Sequence, residues 1–181
     1  MDATTAVVFG GLTHNGAAND VWEWKVSTGN WTRLHPGGDP PADGSDPVPP
    51  RRVGHSAVIL RGDLWIFGGY DVAGGDMNDL WRFSRAEGRW YAVELPEEAT
   101  TPPTRSGHAA FAPDDDGEAF FVFGGNMRND VWAFDVGETA WRVVMGETAA
   151  TSGGVRRRVE GVFLALGMAT ASAIHVAQQR L

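Results

Sequence analysis

The chain has no cysteine. No disulfide and no thiolate metal site can form, which favours a reducing compartment. Lysine is almost missing too: Lys25 is the only one, and every other basic side chain apart from histidine is arginine. Positive charge is in deficit overall. Net charge is −8, and residues from Gly146 onward contribute +2 (Arg156, Arg157, Arg158 and Arg180 against Glu147 and Glu160), so the region before them stands at −10. An acidic body with no basic stripe argues against nucleic acid as a partner. The opening Met1-Asp2-Ala3-Thr4-Thr5 holds neither a basic nor a long apolar stretch. No secretory signal is read there, and a cytoplasmic location is expected. Gly-rich phosphate loops, nucleophile elbows and metal-ligand spacings are also missing. The chain therefore reads as non-catalytic, without cofactor or metal.

What is present is one cassette written three times. Phe9-Gly10-Gly11 precedes Asn19-Asp20-Val21-Trp22 and Trp31. Phe67-Gly68-Gly69 precedes Asn78-Asp79-Leu80-Trp81 and Trp90. Phe123-Gly124-Gly125 precedes Asn129-Asp130-Val131-Trp132 and Trp141. The two tryptophans of each copy are nine residues apart. A period of roughly 50–60 residues points to a radial array of small sheets. The second and third copies open further upstream, with Arg52-Val53-Gly54-His55 and Arg105-Ser106-Gly107-His108 ahead of short apolar runs. Leu64–Phe67 and Ala119–Phe123 are nearly all apolar, as strands covered on both faces should be. The double glycines are expected to end those strands. Third strands are expected over Asp79–Phe83 and fourth strands over Trp90–Glu94. Each repeat is thus a four-stranded antiparallel meander that must stack on neighbours to bury its faces.

These motifs resemble the kelch repeat: a hydrophobic run, Gly-Gly, then an aromatic separated by six residues from a Trp. The aromatic–Trp pairs are Trp24/Trp31, Phe83/Trp90 and Phe134/Trp141. The resemblance, which extends to the kelch motifs of the galactose-oxidase central domain, implies an all-β fold: a partial kelch β-propeller of four-stranded antiparallel blades. Residues 1–145 are the repeat region, with blade 1 over 6–35, blade 2 over 51–95 and blade 3 over 104–145. Blade 1 lacks an Arg-x-Gly-His strand, a member expected to be outermost. Three blades are fewer than the four to eight of closed propellers. The array is a fragment with blades elsewhere, closes with another copy, or is covered by its own tail. With both end faces open, residues 1–145 alone are expected to self-associate.

Residues 36–50, rich in Pro, Gly and Asp, are expected to form a long surface loop unable to pack a core. Residues 146–181 form a tail outside the repeats. Its apolar part, 161–177, reads as a short helix, either anchored in membrane or packed on the array, or else as a strand of a decayed blade; the helical readings are favoured.

Recurrence separates framework from function. His55 and His108 share one repeat position, so they read as framework and not as metal ligands. The Asn-Asp pairs recur in every copy and read as groups bonding turn backbone. The six cassette tryptophans read as wedges between blades. Non-recurring loop residues are the better functional candidates, because recognition sits on variable loops of a fixed scaffold. These are Thr13, His14, Asn15, Tyr70, Asp71, Asn126 and Arg128. By resemblance, Arg52 and Arg105 are added, at positions from which arginines reach the central channel mouth in some kelch proteins. The implied function is a non-catalytic interaction module for a protein partner. The alternative is a small-ligand or carbohydrate-binding propeller, or a piece of a larger kelch-containing enzyme. The kelch copper oxidase with its cysteine–tyrosine crosslink is excluded by the lack of cysteine.

Overall fold

A computed structural model describes residues 5–114 and 116–146. Within these residues the chain is all β, with no helix. Strands β1 (Thr5–Thr13), β2 (Gly16–Lys25) and β3 (Asn30–His35) form one antiparallel sheet. The second holds β4 (Ser56–Leu60), β5 (Asp63–Asp71), β6 (Gly75–Ser84) and β7 (Arg89–Ala92). The third holds β8 (Ala109–Phe111), β9 (Ala119–Phe123), β10 (Val131–Asp135) and β11 (Ala140–Met145). Each is a simple meander; among the described residues the first has three strands, without one equivalent to the strand that Arg-x-Gly-His opens in the others. The readings made for residues 161–177 fall outside the described residues.

Register explains the aromatic–Trp spacing. Trp24 faces Trp31, Phe83 faces Trp90 and Phe134 faces Trp141 across adjacent strands. The six intervening residues carry the chain round a tight hairpin and set the two rings side by side on one face.

The double glycine does not end β5, which runs on to Asp71. Instead the pairing with β6 shifts between Phe67 and Gly69. Gly68 and Gly69 have φ of +57° and +104°, and a Cβ on Gly69 would lie 2.9 Å from the Val53 carbonyl oxygen. The pair is a bulge that absorbs one residue and lets the neighbouring backbone close in. In the third sheet β9 does stop at Phe123.

The sheets stack through two apolar junctions. Phe9, Val21, Leu64, Ile66, Phe83 and Trp90 form the first. Phe67 and Leu80 meet Phe120, Val122, Phe134 and Trp141 in the second. One rule builds both. Phe9 meets His55 and Trp90 of the second sheet, each at 5.0 Å between ring centroids. Phe67 meets His108 at 5.4 Å and Trp141 at 4.8 Å in the third. A buried aromatic ring hides about 150–250 Å². At about 25 cal/mol per Å², each contributes on the order of 4–6 kcal/mol of burial. Glu23 and Arg85 add an ion pair between the first two sheets.

Two expectations change. Val48 is buried with Phe9 and Val21, so the 36–50 segment does contribute to the core. Its composition forbids regular structure, but one aliphatic side chain still finds an apolar cleft. The first strand of a repeat is also inner, not outermost. Strand β4 approaches β8 and β9, and Gly107 N–H donates to the Gly54 carbonyl at 2.8 Å. Glycine on both sides allows backbones of successive sheets to meet there.

Candidate functional site

The loops after the Phe-Gly-Gly strands carry the variable residues. In the β1–β2 turn, Thr13 Oγ1 donates to the Gly16 carbonyl at 2.7 Å and accepts from Asn15 N–H at 3.2 Å. This braces the turn and leaves His14 exposed at its tip. At the end of β5, Tyr70 is tied by paired backbone bonds to Val53, at 2.7 and 3.0 Å, while its ring stays exposed. Asp71 accepts from the Ala73 N–H at 3.1 Å, so its carboxylate shapes the loop. Asn126 accepts from Ser106 N–H at 3.1 Å and donates to Asp76 Oδ2 at 2.6 Å. It thereby joins the third sheet's loop to the start of β6 in the second. Arg128 is half-buried, and its N–H donates to the Gly125 carbonyl at 2.8 Å.

In or next to each of these loops stands one exposed aliphatic side chain: Leu12 near the end of β1, Val72 and Met127. Asn126 and Met127 have φ of 47° and 60°, in the left-handed region that costs a non-glycine residue roughly 1–2 kcal/mol. Asparagine tolerates that region; methionine does not offset it with any local hydrogen bond of its own. The strained pair holds Met127 fully out into solvent.

Arg52 and Arg105 are corrected: they do not reach a channel mouth. Both are completely buried. Arg52 grips both carboxylate oxygens of Asp79 at 2.7 Å and donates to the Gly68 carbonyl at 2.9 Å. Arg105 repeats this with Asp130, at 2.7 and 2.8 Å, and with the Gly124 carbonyl at 2.8 Å. Their backbones also hold the preceding sheet, since Gly11 N–H donates to the Arg52 carbonyl at 3.2 Å and Gly69 N–H to the Arg105 carbonyl at 2.9 Å. Each arginine is a rivet joining its own sheet's double glycine to the double glycine of the sheet before. With the Nε bond to the Pro50 or Pro103 carbonyl, four of the five N–H donors of each fork are used inside the framework.

The Asn-Asp pairs divide their work. Asn19 bonds loop backbone, donating to the Gly38 and Pro49 carbonyls at 2.8 Å each. The aspartates do not. Asp20, Asp79 and Asp130 each accept from the indole N–H two residues on (Trp22, Trp81 and Trp132) at 2.7 Å. An acid two places before a tryptophan, with an arginine opening the same repeat, was the signal for this triad. Within the described residues no arginine reaches Asp20.

His55 and His108 lie inside the junctions. His108 Nε2 and Ser56 Oγ share a hydrogen bond of 2.8 Å between sheets. Burial first, then the Arg52 and Arg105 charges, push both imidazoles down to a pKa of about 4. They are neutral framework groups at neutral pH. The described residues contain no cluster of three His, Asp or Glu that would hold a metal ion. They contain no helix long and apolar enough to cross a membrane.

Comparison with known proteins matches residues 1–163 to the KLHDC2/KLHL20/DRC7 Kelch-repeats domain. The chain is 32% identical over 145 residues to the Leucine-zipper-like transcriptional regulator 1 homolog of Drosophila melanogaster, covering 76% of this chain and 14% of that protein. It is 29% identical over 157 residues to human Host cell factor 1, covering 77% and 8%. It is 29% identical over 152 residues to the flagellar outer arm dynein alpha chain of Chlamydomonas reinhardtii, covering 78% and 3%. The chain thus spans a small part of each of these relatives.

Proposed function

The chain belongs to the kelch-repeat family, and from that premise we infer that its repeat region is a non-catalytic module binding a protein or peptide partner. The contact surface is the loop face made by the β1–β2, β5–β6 and β9–β10 connections. One observation carries this reading. The three loops start from one framework position but differ in length and chemistry, and each carries or adjoins a solvent-exposed aliphatic side chain, Leu12, Val72 or Met127. A fixed scaffold with dissimilar loops is the physical form of a recognition surface. Around the aliphatics stand the polar groups of His14, Asn15, Tyr70 and Asp71, a mixture suited to an apolar anchor with a polar rim. The printed name of one relative, a transcriptional regulator homolog, is in keeping with a regulatory binding role. Assignment of function from the family rests on fold analogy. A cytoplasmic location belongs to the same proposal.

The test is affinity capture with the full chain and with a Leu12→Ser/Val72→Ser/Met127→Ser variant, read by mass spectrometry alongside a glycan array. Partners captured by the native chain and lost with the variant support the reading. Specific glycan binding without any protein partner overturns it.

A further inference from the structure

We propose that Asn15-Gly16, in the turn between β1 and β2, is a site of covalent self-modification held in check by Thr13. The Gly16 backbone nitrogen attacks the Asn15 side chain, and Asn15 becomes aspartate or isoaspartate. The reaction needs an asparagine in water, a carboxamide that nothing holds, and a following residue whose side chain does not crowd the attacking nitrogen. Asn15 meets all three. It is exposed, and among the described residues its carboxamide makes no hydrogen bond. Gly16 has no Cβ, and one built there would meet nothing within 4 Å.

The other asparagines fail at least one condition. Asn15-Gly16 is the only Asn-Gly pair in the sequence; Asn19, Asn78 and Asn129 precede aspartate, Asn30 precedes Trp31 and Asn126 precedes Met127. Asn19 is 4% exposed, and both ends of its carboxamide are held: Nδ2 donates to the Gly38 and Pro49 carbonyls, and Oδ1 accepts from Gly38 N–H at 2.9 Å. Asn126 is held at both ends by Ser106 and Asp76. Asn78 donates to the Pro102 carbonyl at 3.1 Å.

The step balances with water alone. Base removes the Gly16 N–H proton, the nitrogen bonds to Asn15 Cγ, and the carboxamide nitrogen leaves as ammonia, closing a succinimide ring. Water then opens the ring at either carbonyl. One opening gives aspartate; the other gives isoaspartate, in which the backbone runs through Cγ. Thr13 sets the pace. Its Oγ1 accepts from Asn15 N–H at 3.2 Å and donates to the Gly16 carbonyl at 2.7 Å, so one hydroxyl grips the chain on both sides of the reacting bond. Attack requires rotation about the Asn15 Cα–C bond, which pulls Gly16 off that hydroxyl. The product puts a new carboxylate beside His14, and isoaspartate lengthens a turn whose register closes Thr13 on Gly16. Both changes fall on the loop face proposed above as a contact surface, but the reaction does not depend on that reading.

The test is timed incubation of the full chain, and of its Thr13→Ala and Asn15→Gln variants, in mildly alkaline buffer, followed by tryptic digestion and mass spectrometry. Residues 1–25 form one tryptic peptide holding both Asn15 and Asn19, so fragmentation compares the two directly. Conversion is expected at Asn15, with aspartyl and isoaspartyl products, while Asn19 and Asn126 stay intact. Thr13→Ala is expected to speed conversion several-fold, and Asn15→Gln to stop it. Circular dichroism checks that each variant is folded, and Thr13→Val replaces Thr13→Ala if the latter unfolds. An Asn15 that stays intact overturns the proposal. So does aspartate formed without isoaspartate, which marks direct hydrolysis, or a Thr13 variant that converts at the native rate.

Discussion

Arg105 and Asp130 form a two-point ion pair, at 2.7 and 2.8 Å, with the arginine side chain wholly buried and the aspartate 5% exposed. Arg52 and Asp79 repeat it, with both contacts at 2.7 Å, but the Asp79 side chain is 37% exposed. One geometry therefore sits in two solvent environments, which separates the cost of burial from the value of the contact.

Removing the arginine leaves the aspartate without its counter-charge, and only Asp130 is then cut off from water. Arg105→Met should destabilise by about 3–5 kcal/mol, the range for a buried pair broken on one side. Arg52→Met should cost distinctly less, because water can solvate Asp79. Urea unfolding of the two variants measures the difference. Equal losses would show that the bonds to glycine carbonyls, and not the ion pairs, dominate.

Gly68 and Gly69 are constrained twice, by φ and by space. Gly69→Ala would put a Cβ 2.9 Å from both the Val53 oxygen and His55 Cβ. Gly75 also has positive φ, +84°, but its Cβ would meet nothing within 4 Å. Gly75→Ala should therefore cost the conformational strain alone, about 1–2 kcal/mol. Gly69→Ala should cost at least twice that by thermal or chemical unfolding. Similar losses at both sites would mean that the close approach at Gly69 relaxes freely.

Equivalent tryptophans should differ in worth. Trp90→Ala empties a fully buried site and should cost about 3–5 kcal/mol. Trp31→Ala removes a ring that is largely in water within one chain, and should cost well under half as much at concentrations low enough to keep the protein monomeric. Unfolding midpoints at low protein concentration compare the two.

Acid should weaken the fold through its two buried imidazoles. His55 and His108 are held at a pKa of about 4 in the folded chain, against 6.5 when exposed. Below pH 6.5 the unfolded chain takes up protons that the folded one refuses. Stability is therefore complete above that pH and falls as pH drops towards 4. Each imidazole accounts for a loss on the order of 3 kcal/mol across the window. Asp130 has its carboxyl held below the usual range by hydrogen bonds from Arg105 and Trp132 that outweigh burial, and its contribution is lost only at still lower pH. Urea midpoints measured from about pH 7.5 to about pH 4.5 follow this. A His55→Gln/His108→Gln variant should flatten the slope; an unchanged slope would place the titrating groups elsewhere.

The repeat itself was legible because its signals are local. Phe-Gly-Gly and the paired tryptophans report strand, bulge and hairpin within about twenty residues, so the three sheets and their antiparallel order followed from spacing. The framework role of His55 and His108 was legible from recurrence. The rivets were not. Arg52 lies 27 residues from Asp79, and Arg105 lies 25 from Asp130. An arginine at a strand start reads equally as a solvent-facing ligand group or a buried partner. Val48 was hidden for a related reason, since a single aliphatic in a Pro-rich loop gives no periodic signal.

By itself, then, the sequence determined the all-β architecture and its antiparallel hairpins, because hydrophobic alternation and glycine placement act over a few residues. Tertiary structure decided which of the equivalent residues are buried. Phe67 and Phe123, or Trp90 and Trp31, hold equivalent repeat positions, yet among the described residues another sheet packs only on Phe67 and Trp90. Burial depends on a neighbour in space, and so does the fate of a charge: the same guanidinium that would invite a ligand in water is spent on Asp130 once the third sheet closes around it.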